Sequence, residues 1–367
     1  MIRFRPVLNS YLARHYAWSL LGMLAVFTAI MGLFDSVEQL RLLNKAGQAR
    51  PDLIIYVTML RLPQNVLVIA PFIVLFAGMW SITHLTKRQE FVVMRMAGAS
   101  LWQLLMPLFI VAFCYGVLLV AVVNPLAAAT ERAYQTFREQ SLRGGQGMIT
   151  LLHRGLWLRQ PDAEKSGQFY ILHAGRVKVP GWELSDVMVL FFDSDHRFLK
   201  RFDAPAARLV GGQWVFPKAQ STELTGPVDH KDLKLKTQLT VADLEESFMS
   251  SETISVWAMP RFMQMLQSTG FSALPLQVRF GSLLMLPILC MALVMVAASV
   301  SLRPSRQGGQ VILAVTGVVA GFLIFFLGNF LQALGASGQI PVLLAATSPA
   351  LLTLSVGTLA ILNIEDR

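Results

Sequence analysis

The 367-residue sequence is 54% hydrophobic and only 14% charged, with a mean hydropathy of +0.54. A soluble globular chain carries about 25% charged residues, so this balance excludes a chain that is water-soluble throughout and indicates membrane-spanning segments. The formal net charge of +9 favours contact with a membrane surface or anionic lipid over nucleic acid, because no basic run lies beside interleaved aromatic residues.

Six segments are apolar over about the 20 residues that a helix needs to cross the hydrocarbon core of a bilayer. They are residues 16–34, 65–85, 101–123, 280–302, 311–334 and 342–362. The second helix is expected to begin earlier, since residues 53–62 are also apolar, and Pro63 and Pro71 would kink the longer helix rather than end it. The first run is too long for a signal-peptide core, so we expect it to be retained.

Lysine and arginine in the short loops predict the orientation of these helices. Basic residues precede the first helix and also lie in the loops between the second and third helices and between the fourth and fifth. These three segments fall on one side of the membrane, and their basic residues are Arg3, Arg5, Arg14, Lys87, Arg88, Arg95, Arg303 and Arg306. We assign that side to the cytoplasm, with both termini there. The opposite assignment gains some support from four basic residues in the first loop on the other side, Arg41, Lys45, Arg50 and Arg61.

The middle of the chain, residues 126–273, differs in character from the apolar runs. Residues 127–142 favour an extension of the third helix, and residues 255–269 favour an amphipathic helix with Trp257 and Phe262 on one face. Between them, short apolar or alternating runs separated by turn residues are typical of a sandwich or jelly roll. These runs are 149–152, 155–158, 169–172, 187–192, 214–216 and 233–241.

The predicted fold is therefore a membrane α-helical protein of three plus three transmembrane helices with an inserted periplasmic, all-β, jellyroll-like domain. Its parts are residues 1–125 with the first three helices, residues 126–273 with the β domain and its flanking helices, and residues 274–367 with the last three helices.

Several motifs of enzymes are missing from the sequence. It has no G-x-x-x-x-G-K-[ST] loop for nucleotide phosphates, no H-E-x-x-H or clustered Cys/His ligand set, and no G-x-S-x-G nucleophile elbow. A membrane hydrolase or protease is therefore poorly supported. We expect this chain to bind no cofactor, and any ATP-driven work to depend on a partner chain that holds ATP and Mg²⁺.

The cytoplasmic segment at residues 88–99 is predicted to form a short helix between two membrane helices. On such a helix Glu90, Met94 and Ala97 share a face by their i, i+4 and i+7 spacing. An apolar helix that carries one acid can dock in a groove on a soluble partner. The alternative is an interfacial loop whose apolar side rests on lipid, with Arg95 extended towards water.

Ionisable residues also follow the first apolar run at helical spacing. Asp35, Glu38, Arg41 and Lys45 lie at its outer end, and charges near membrane depth are costly unless they face a cavity or a partner. The basic members could contact anionic phosphate head groups, and Arg132 beyond the third helix could extend the same basic rim. Ordinary interfacial anchoring is the alternative interpretation.

These motifs resemble the lipopolysaccharide-transport permeases LptF and LptG, also called the YjgP/YjgQ family. Residues 90–98 are similar to the family's coupling-helix signature, which is an acid followed by a hydrophobic run and a glycine. Residues 39–48, and residues 155–157 with 169–171 after them, resemble the LptG form more than the LptF form. The order of three helices, a β domain and three helices resembles the family over essentially the full length.

The resemblance implies a permease subunit of an ABC-type exporter that extracts lipopolysaccharide from the inner membrane and passes it to a periplasmic β-jellyroll bridge. It implies an LptF-like permease as heterodimer partner, an LptB-like ATPase dimer and an LptC-like bitopic protein. The residues assigned to ATPase coupling are Glu90, Phe91, Met94, Arg95 and Gly98, and those assigned to the lipid are Arg41, Lys45, Arg132 and Glu38.

This sequence departs from the family pattern in three places. Asp35 stands where the family often has a basic residue, Gly281 and Ser282 occupy the region where a lysine is common, and the first loop is longer than usual.

Two other classes of function compete with transport by this family. A secondary transporter would need acids at mid-membrane, which these helices almost lack. A membrane-anchored structural or signalling protein would use its β domain to bind a partner without transport.

Overall fold

A computed structural model describes residues 6–45, 47, 50–142, 156–161, 168–178, 183–193, 197–210, 213–222, 229–237, 251–268, 272–302 and 309–365. The chain divides into two compact units. A helical unit comprises Met1–Thr136, Ser251–Met259 and Leu274–Arg367, and a β unit comprises Phe137–Ser250 and Pro260–Ala273.

Nine α-helices are present within the described residues. They are α1 (Pro6–Lys45), α2 (Pro51–Lys87), α3 (Glu90–Met96), α4 (Leu101–Leu118), α5 (Asn124–Leu142), α6 (Met259–Ser268), α7 (Leu274–Ser301), α8 (Gly309–Ala336) and α9 (Val342–Glu365). A π-helical turn, Leu119–Val123, joins α4 to α5 without a break.

The prediction of six membrane-spanning helices is confirmed for the described part of the chain, where α1, α2, the continuous α4–α5, α7, α8 and α9 are long and apolar enough to span. The longer form of the second helix is confirmed as well, because Pro63 and Pro71 lie inside α2. The assignment of Arg61 to the first loop is therefore wrong, because Arg61 lies within α2 and not in the loop that precedes it.

Helix α1 has fully buried side chains only near its two ends. Leu12, Tyr16 and Leu20 are buried towards one end, and three more residues are buried towards the other, Asp35, Gln39 and Leu43. No residue from 21 to 34 is fully buried, although Phe27 stacks on Phe76 of α2 and Met31 packs partly against the core. Helix α1 is therefore packed most closely near its two ends.

Helix α7 is the centre of the helical unit, since it packs against α2, α4, α8 and α9. Its contact with α4 depends on a glycine. A Cβ placed on Gly116 would lie 2.5 Å from Cα of Pro287, which is closer than non-bonded atoms approach. Small residues let membrane helices pack backbone to backbone, and Gly116 provides that approach just before the π-helical turn.

The segment that returns from the β unit is bonded to the π-helical turn and to α5. The Trp257 indole donates to the backbone oxygen of Ala121 at 3.3 Å, and the backbone N–H of Val256 donates to Oδ1 of buried Asn124 at 2.7 Å. The predicted amphipathic helix at 255–269 thus begins later, at Met259. Trp257 is 70% exposed and does not share the buried face of α6, because it precedes that helix.

The β unit contains a single antiparallel sheet of six described strands in sequential order. The strands are β1 (Leu156–Pro161), β2 (Phe169–Lys178), β3 (Glu183–Phe192), β4 (Phe198–Val210), β5 (Gln213–Thr222) and β6 (Asp229–Lys236). The prediction of an inserted all-β domain between two sets of helices is confirmed. Five predicted strands overlap β1, β2, β3, β5 and β6, while the run at 149–152 and the end of the last run, 238–241, lie outside the described residues.

One face of this sheet is buried, and the burial pattern changes phase along a line across β3, β4 and β5. The buried row of Ala174, Val187, Ala204 and Ala219 is followed, three residues along each of these three strands, by a row with Leu184, Ala207 and Phe216. In a regular strand one outward-facing residue separates two buried residues, but here two consecutive residues of each strand separate the two rows. Asp186 (φ 55°), Pro205 and Pro217 lie on this line, which we call the crease.

Candidate functional site

The first candidate site is helix α3, which the backbone sets apart from both neighbouring helices. Gln89 precedes it in a left-handed conformation, with φ 59°. At its end Gly98 has φ 85°, and the N–H of Ala99 donates to the carbonyl of Met94 at 3.3 Å. This is a Schellman ending, in which glycine adopts the positive φ without strain. Ser100 then begins α4 with a capping box.

Two predicted coupling residues face the helical unit. Phe91 is 4% exposed and belongs to the main hydrophobic core, and Met94 is partly buried against the same core. Glu90 accepts a hydrogen bond from the Tyr11 hydroxyl of α1 at 2.8 Å. The side of α3 that carries Glu90 and Met94 is thus directed at α1 and the core rather than away from them.

The outer side of α3 is apolar. Val92, Val93 and Met96 are 42%, 57% and 76% exposed, and Arg95 is exposed beside them. The i, i+4 and i+7 spacing that starts at Glu90 does not include this face. The signal was present in the i, i+3 spacing of Val93 and Met96. Three apolar side chains and one arginine therefore form the exposed surface of this helix, which we call the outer face of α3.

The second candidate site lies at the opposite end of the helical unit, where α1 ends and α2 begins. Glu38, Arg41 and Lys45 are all exposed on the last turns of α1. Arg132 on α5 is arranged differently, because its Nε donates to the backbone oxygen of Thr253 at 2.7 Å. The structure thus gives Arg41 and Lys45 one shared helical face and holds Arg132 by a separate contact.

A buried ion pair between Asp35 and Arg61 lies at the same end and escaped the sequence analysis. The Arg61 guanidinium bonds to the Asp35 carboxylate, whose side chain is only 8% exposed. The same guanidinium lies 5.0 Å from the centroid of the Tyr134 ring, a cation–π arrangement. The Tyr134 hydroxyl in turn accepts from Nε2 of Gln39 at 3.5 Å. Helices α1, α2 and α5 therefore meet through one charge pair and one ring.

Glu131 and Arg279 extend this ion pair into a charged cluster. Glu131 on α5 is 5% exposed and interacts electrostatically with Arg61 and with Arg279 on α7. Arg279 also lies 3.9 Å from the carboxylate of Glu252. No sequence signal joins these residues, since they come from distant helices. The charged cluster is defined here as Asp35, Arg61, Glu131, Glu252 and Arg279.

The helices and the inserted sheet define a multi-pass membrane protein that carries an all-β domain between its third and fourth membrane helices. The family model described as "Lipopolysaccharide export system permease LptF/LptG" matches residues 10–363, and the chain therefore belongs to the LptF/LptG family. This confirms the resemblance drawn from residues 39–48, 90–98 and the order of elements.

Similar proteins from two bacteria carry the name of one branch of this family. The chain is 24% identical over 354 residues to the lipopolysaccharide export system permease protein LptG of Escherichia coli (strain K12). This match covers 94% of this chain and 94% of the relative. It is 22% identical to the protein of the same name from Haemophilus influenzae (strain ATCC 51907 / DSM 11121 / KW20 / Rd), covering 94% of this chain and 95% of the relative. Both relatives carry the name LptG, the form of the family that residues 39–48, 155–157 and 169–171 resemble.

Proposed function

We propose that this chain is the LptG-like permease subunit of an ATP-driven lipopolysaccharide exporter in the bacterial inner membrane. In this proposal α3 and both termini are cytoplasmic and the β unit is periplasmic. The partners are an LptF-like permease, an LptB-like ATPase dimer and an LptC-like bitopic protein. The observation that carries the proposal is membership of the LptF/LptG family over residues 10–363, and the outer face of α3 supports it.

The energetics of lipid extraction call for an external source of energy. Moving an acyl chain out of a bilayer costs about 0.8 kcal/mol for each buried CH₂ group, so a lipid with several chains does not leave spontaneously. This sequence contains no phosphate-binding loop of its own. A partner that binds and hydrolyses ATP can supply the energy if it has different affinities for two conformations of the permease.

The outer face of α3 is the surface through which we propose that the ATPase acts. Phe91 anchors the helix in the core, while Val93 and Met96 extend away from it and are more than half exposed. A short helix with exposed apolar side chains fits a hydrophobic groove on a soluble partner. Movement of that groove when ATP closes the two ATPases would displace α3.

Replacing Met96 or Val93 by glutamate is expected to reduce co-purification of the ATPase by about tenfold or more, because a charge would enter the apolar contact without a partner. The thermal unfolding of the permease should stay unchanged, since both side chains point away from the core. The measurement is the amount of ATPase recovered with the tagged permease from detergent extracts.

Phe91→Ala is the matched control for this pair of variants. It removes a side chain that is 4% exposed, so it should lower the unfolding temperature as well as reduce ATPase recovery. Normal ATPase recovery with both glutamate variants would contradict the proposed docking surface.

At the opposite end, we propose that Arg41, Lys45 and Arg132 contact phosphate groups of the lipid. Arg41 and Lys45 are one helical turn apart and exposed, so a polyanionic head group can reach both at once. Arg132 is already oriented by its bond to Thr253. Glu38, one turn before Arg41, carries the opposite charge and limits how strongly an anion is held.

The double variant Arg41→Glu/Lys45→Glu is expected to lower lipopolysaccharide release by about tenfold or more, because two attractive charges would become repulsive. Recovery of the ATPase should not change, since α3 lies at the other end of the helical unit. The measurement is lipid released from reconstituted vesicles after addition of ATP.

Arg50→Glu is the control for charge reversal near this end, with half the change in net charge of the double variant. Arg50 is exposed near the same end and pairs only with exposed Asp52 among the described residues, so its reversal should leave most of the release intact. Equal losses of release in the two cases would show that overall charge, and not the face of Arg41 and Lys45, governs the lipid.

A further inference from the structure

A direct polar link joins the first membrane helix to α3. The Tyr11 hydroxyl donates to Oε2 of Glu90 at 2.8 Å, across 79 positions of sequence. The backbone of α3 lies close to α2 but makes few close approaches to α1. The bond between Tyr11 and Glu90 is therefore a specific polar connection between two elements whose backbones make few close approaches.

The link continues from Tyr11 along α1 and across to α2. His15, one turn after Tyr11, places Nδ1 2.9 Å from Oγ of buried Ser81. Its ring also stacks on His84, with 5.5 Å between centroids and 21° between planes, and it lies 6.3 Å from the Tyr11 ring. Tyr11, His15, Ser81, His84 and Glu90 thus form one continuous column of polar and ring contacts, here called the α1–α3 column.

The column adds a polar connection at the end of α1 that lies near α3. Residues 21–34 contain no fully buried side chain, although Phe27 and Met31 pack partly against the core. Backbone hydrogen bonds within a helix allow a displacement at one end to be carried along its length. The attachment near α3 consists of the column together with Leu12, Tyr16 and Leu20.

We propose that Tyr11 is a positioning residue, which transmits an ATPase-driven displacement of α3 to α1 through its hydrogen bond to Glu90. This inference rests on the proposed function, because it requires an ATPase at α3. Tyr11 does not belong to the outer face of α3, so it contributes to transmission and not to docking. A charge-assisted hydrogen bond is stronger than a neutral one, which suits a contact that must persist while two helices move.

The test is Tyr11→Phe, which keeps the ring and removes only the hydroxyl. Permease, partner permease and ATPase are purified together and placed in vesicles that contain lipopolysaccharide. We expect ATPase recovery to equal that of the wild type and ATP hydrolysis to continue. The lipid released per ATP should fall about tenfold, because loss of one charge-assisted hydrogen bond changes an equilibrium by about that factor. Lipid release per ATP is the readout, because a loss of folding or docking would lower recovery instead.

Tyr115→Phe is the matched control, because it makes the same chemical change on a hydroxyl that has no hydrogen-bond partner among the residues that the structure describes. Its release per ATP should equal that of the wild type. Glu90→Ala and the double variant Tyr11→Phe/Glu90→Ala complete a cycle. Tyr11→Phe should add nothing once Glu90 is gone, since it acts through that carboxylate.

The possible results separate this inference from the proposed function. If wild-type permease retains no ATPase and releases no lipid, both fail. If the wild type works and Tyr11→Phe keeps normal release per ATP, only the transmission role fails. Reduced ATPase recovery with Tyr11→Phe, or independent effects of the two substitutions, would also overturn it, because either would place Tyr11 outside the path through Glu90.

Discussion

Arg61→Leu is expected to lower the free energy of unfolding by about 3–5 kcal/mol, because it leaves a buried charge without its partner. Asp35 is only 8% exposed, and Arg61 is its ion-pair partner. The arginine also interacts with the Tyr134 ring and with Glu131. Its loss would therefore weaken three helices at once. Thermal or denaturant unfolding of the purified permease in detergent measures the effect.

Two further variants decide whether the buried charge is the cause. Arg50→Leu breaks an ion pair whose side chains are 71% and 62% exposed, and should cost about 1 kcal/mol or less. The double variant Arg61→Leu/Asp35→Leu should recover much of the loss, because apolar side chains can replace a buried pair at little cost. Similar unfolding of the Arg50 and Arg61 single variants would contradict the role of the buried pair.

Gly116→Ala is expected to destabilise the protein by about 1–3 kcal/mol or more, even though it adds one methyl group. The new Cβ would lie 2.5 Å from Cα and 3.0 Å from N of Pro287. Both are backbone atoms, so no side chain can rotate away, and α4 and α7 must move apart. Because α7 packs against four helices, the shift would spread through the helical unit. The unfolding temperature in detergent measures it.

Gly22→Ala is the matched control for this substitution. Gly22 lies in the unburied middle of α1, and a Cβ there has nothing within 4 Å. Replacing a helical glycine by alanine in open space should leave stability unchanged or raise it by up to about 1 kcal/mol. A Gly116→Ala protein as stable as the wild type would show that the α4–α7 contact can open at no cost.

The membrane helices were predictable because each one depends on local composition. An apolar run of about 20 residues is sufficient, and the extension of α2 followed from the apolar stretch before Pro63. The ends were harder to place. Helix α1 continues to Lys45, well past its apolar run, because Asp35 and Gln39 are buried by other helices that a local pattern does not reveal.

Strand β4 was missed because its sequence does not resemble a buried strand. It carries Lys200, Arg201, Asp203 and Arg208, and alanines occupy inward positions where larger apolar residues are usual. The crease adds a second obstacle, because period-2 alternation breaks where Pro205 lies. Only the pairing with β3 and β5 shows that this segment belongs to the sheet.

The candidate sites were predictable as segments and less so as surfaces. Sequence spacing identified the segment of α3 and the basic residues of α1, and the structure describes a helix at each. The orientation of α3 depends on Phe91 entering a core built from other helices. The charged cluster likewise joins Arg61 to Glu131 and Arg279 through packing alone, so no window of sequence could reveal it.

The crease limits which changes of length the β unit can accept. Three neighbouring strands, β3, β4 and β5, change phase at the same level, as the paired rows on either side of Asp186 and Pro205 show. Deleting one residue from a single strand there would turn every later side chain of that strand to the opposite face. Insertions and deletions should therefore be confined to the hairpin connections, and the strands of the sheet should keep a constant length.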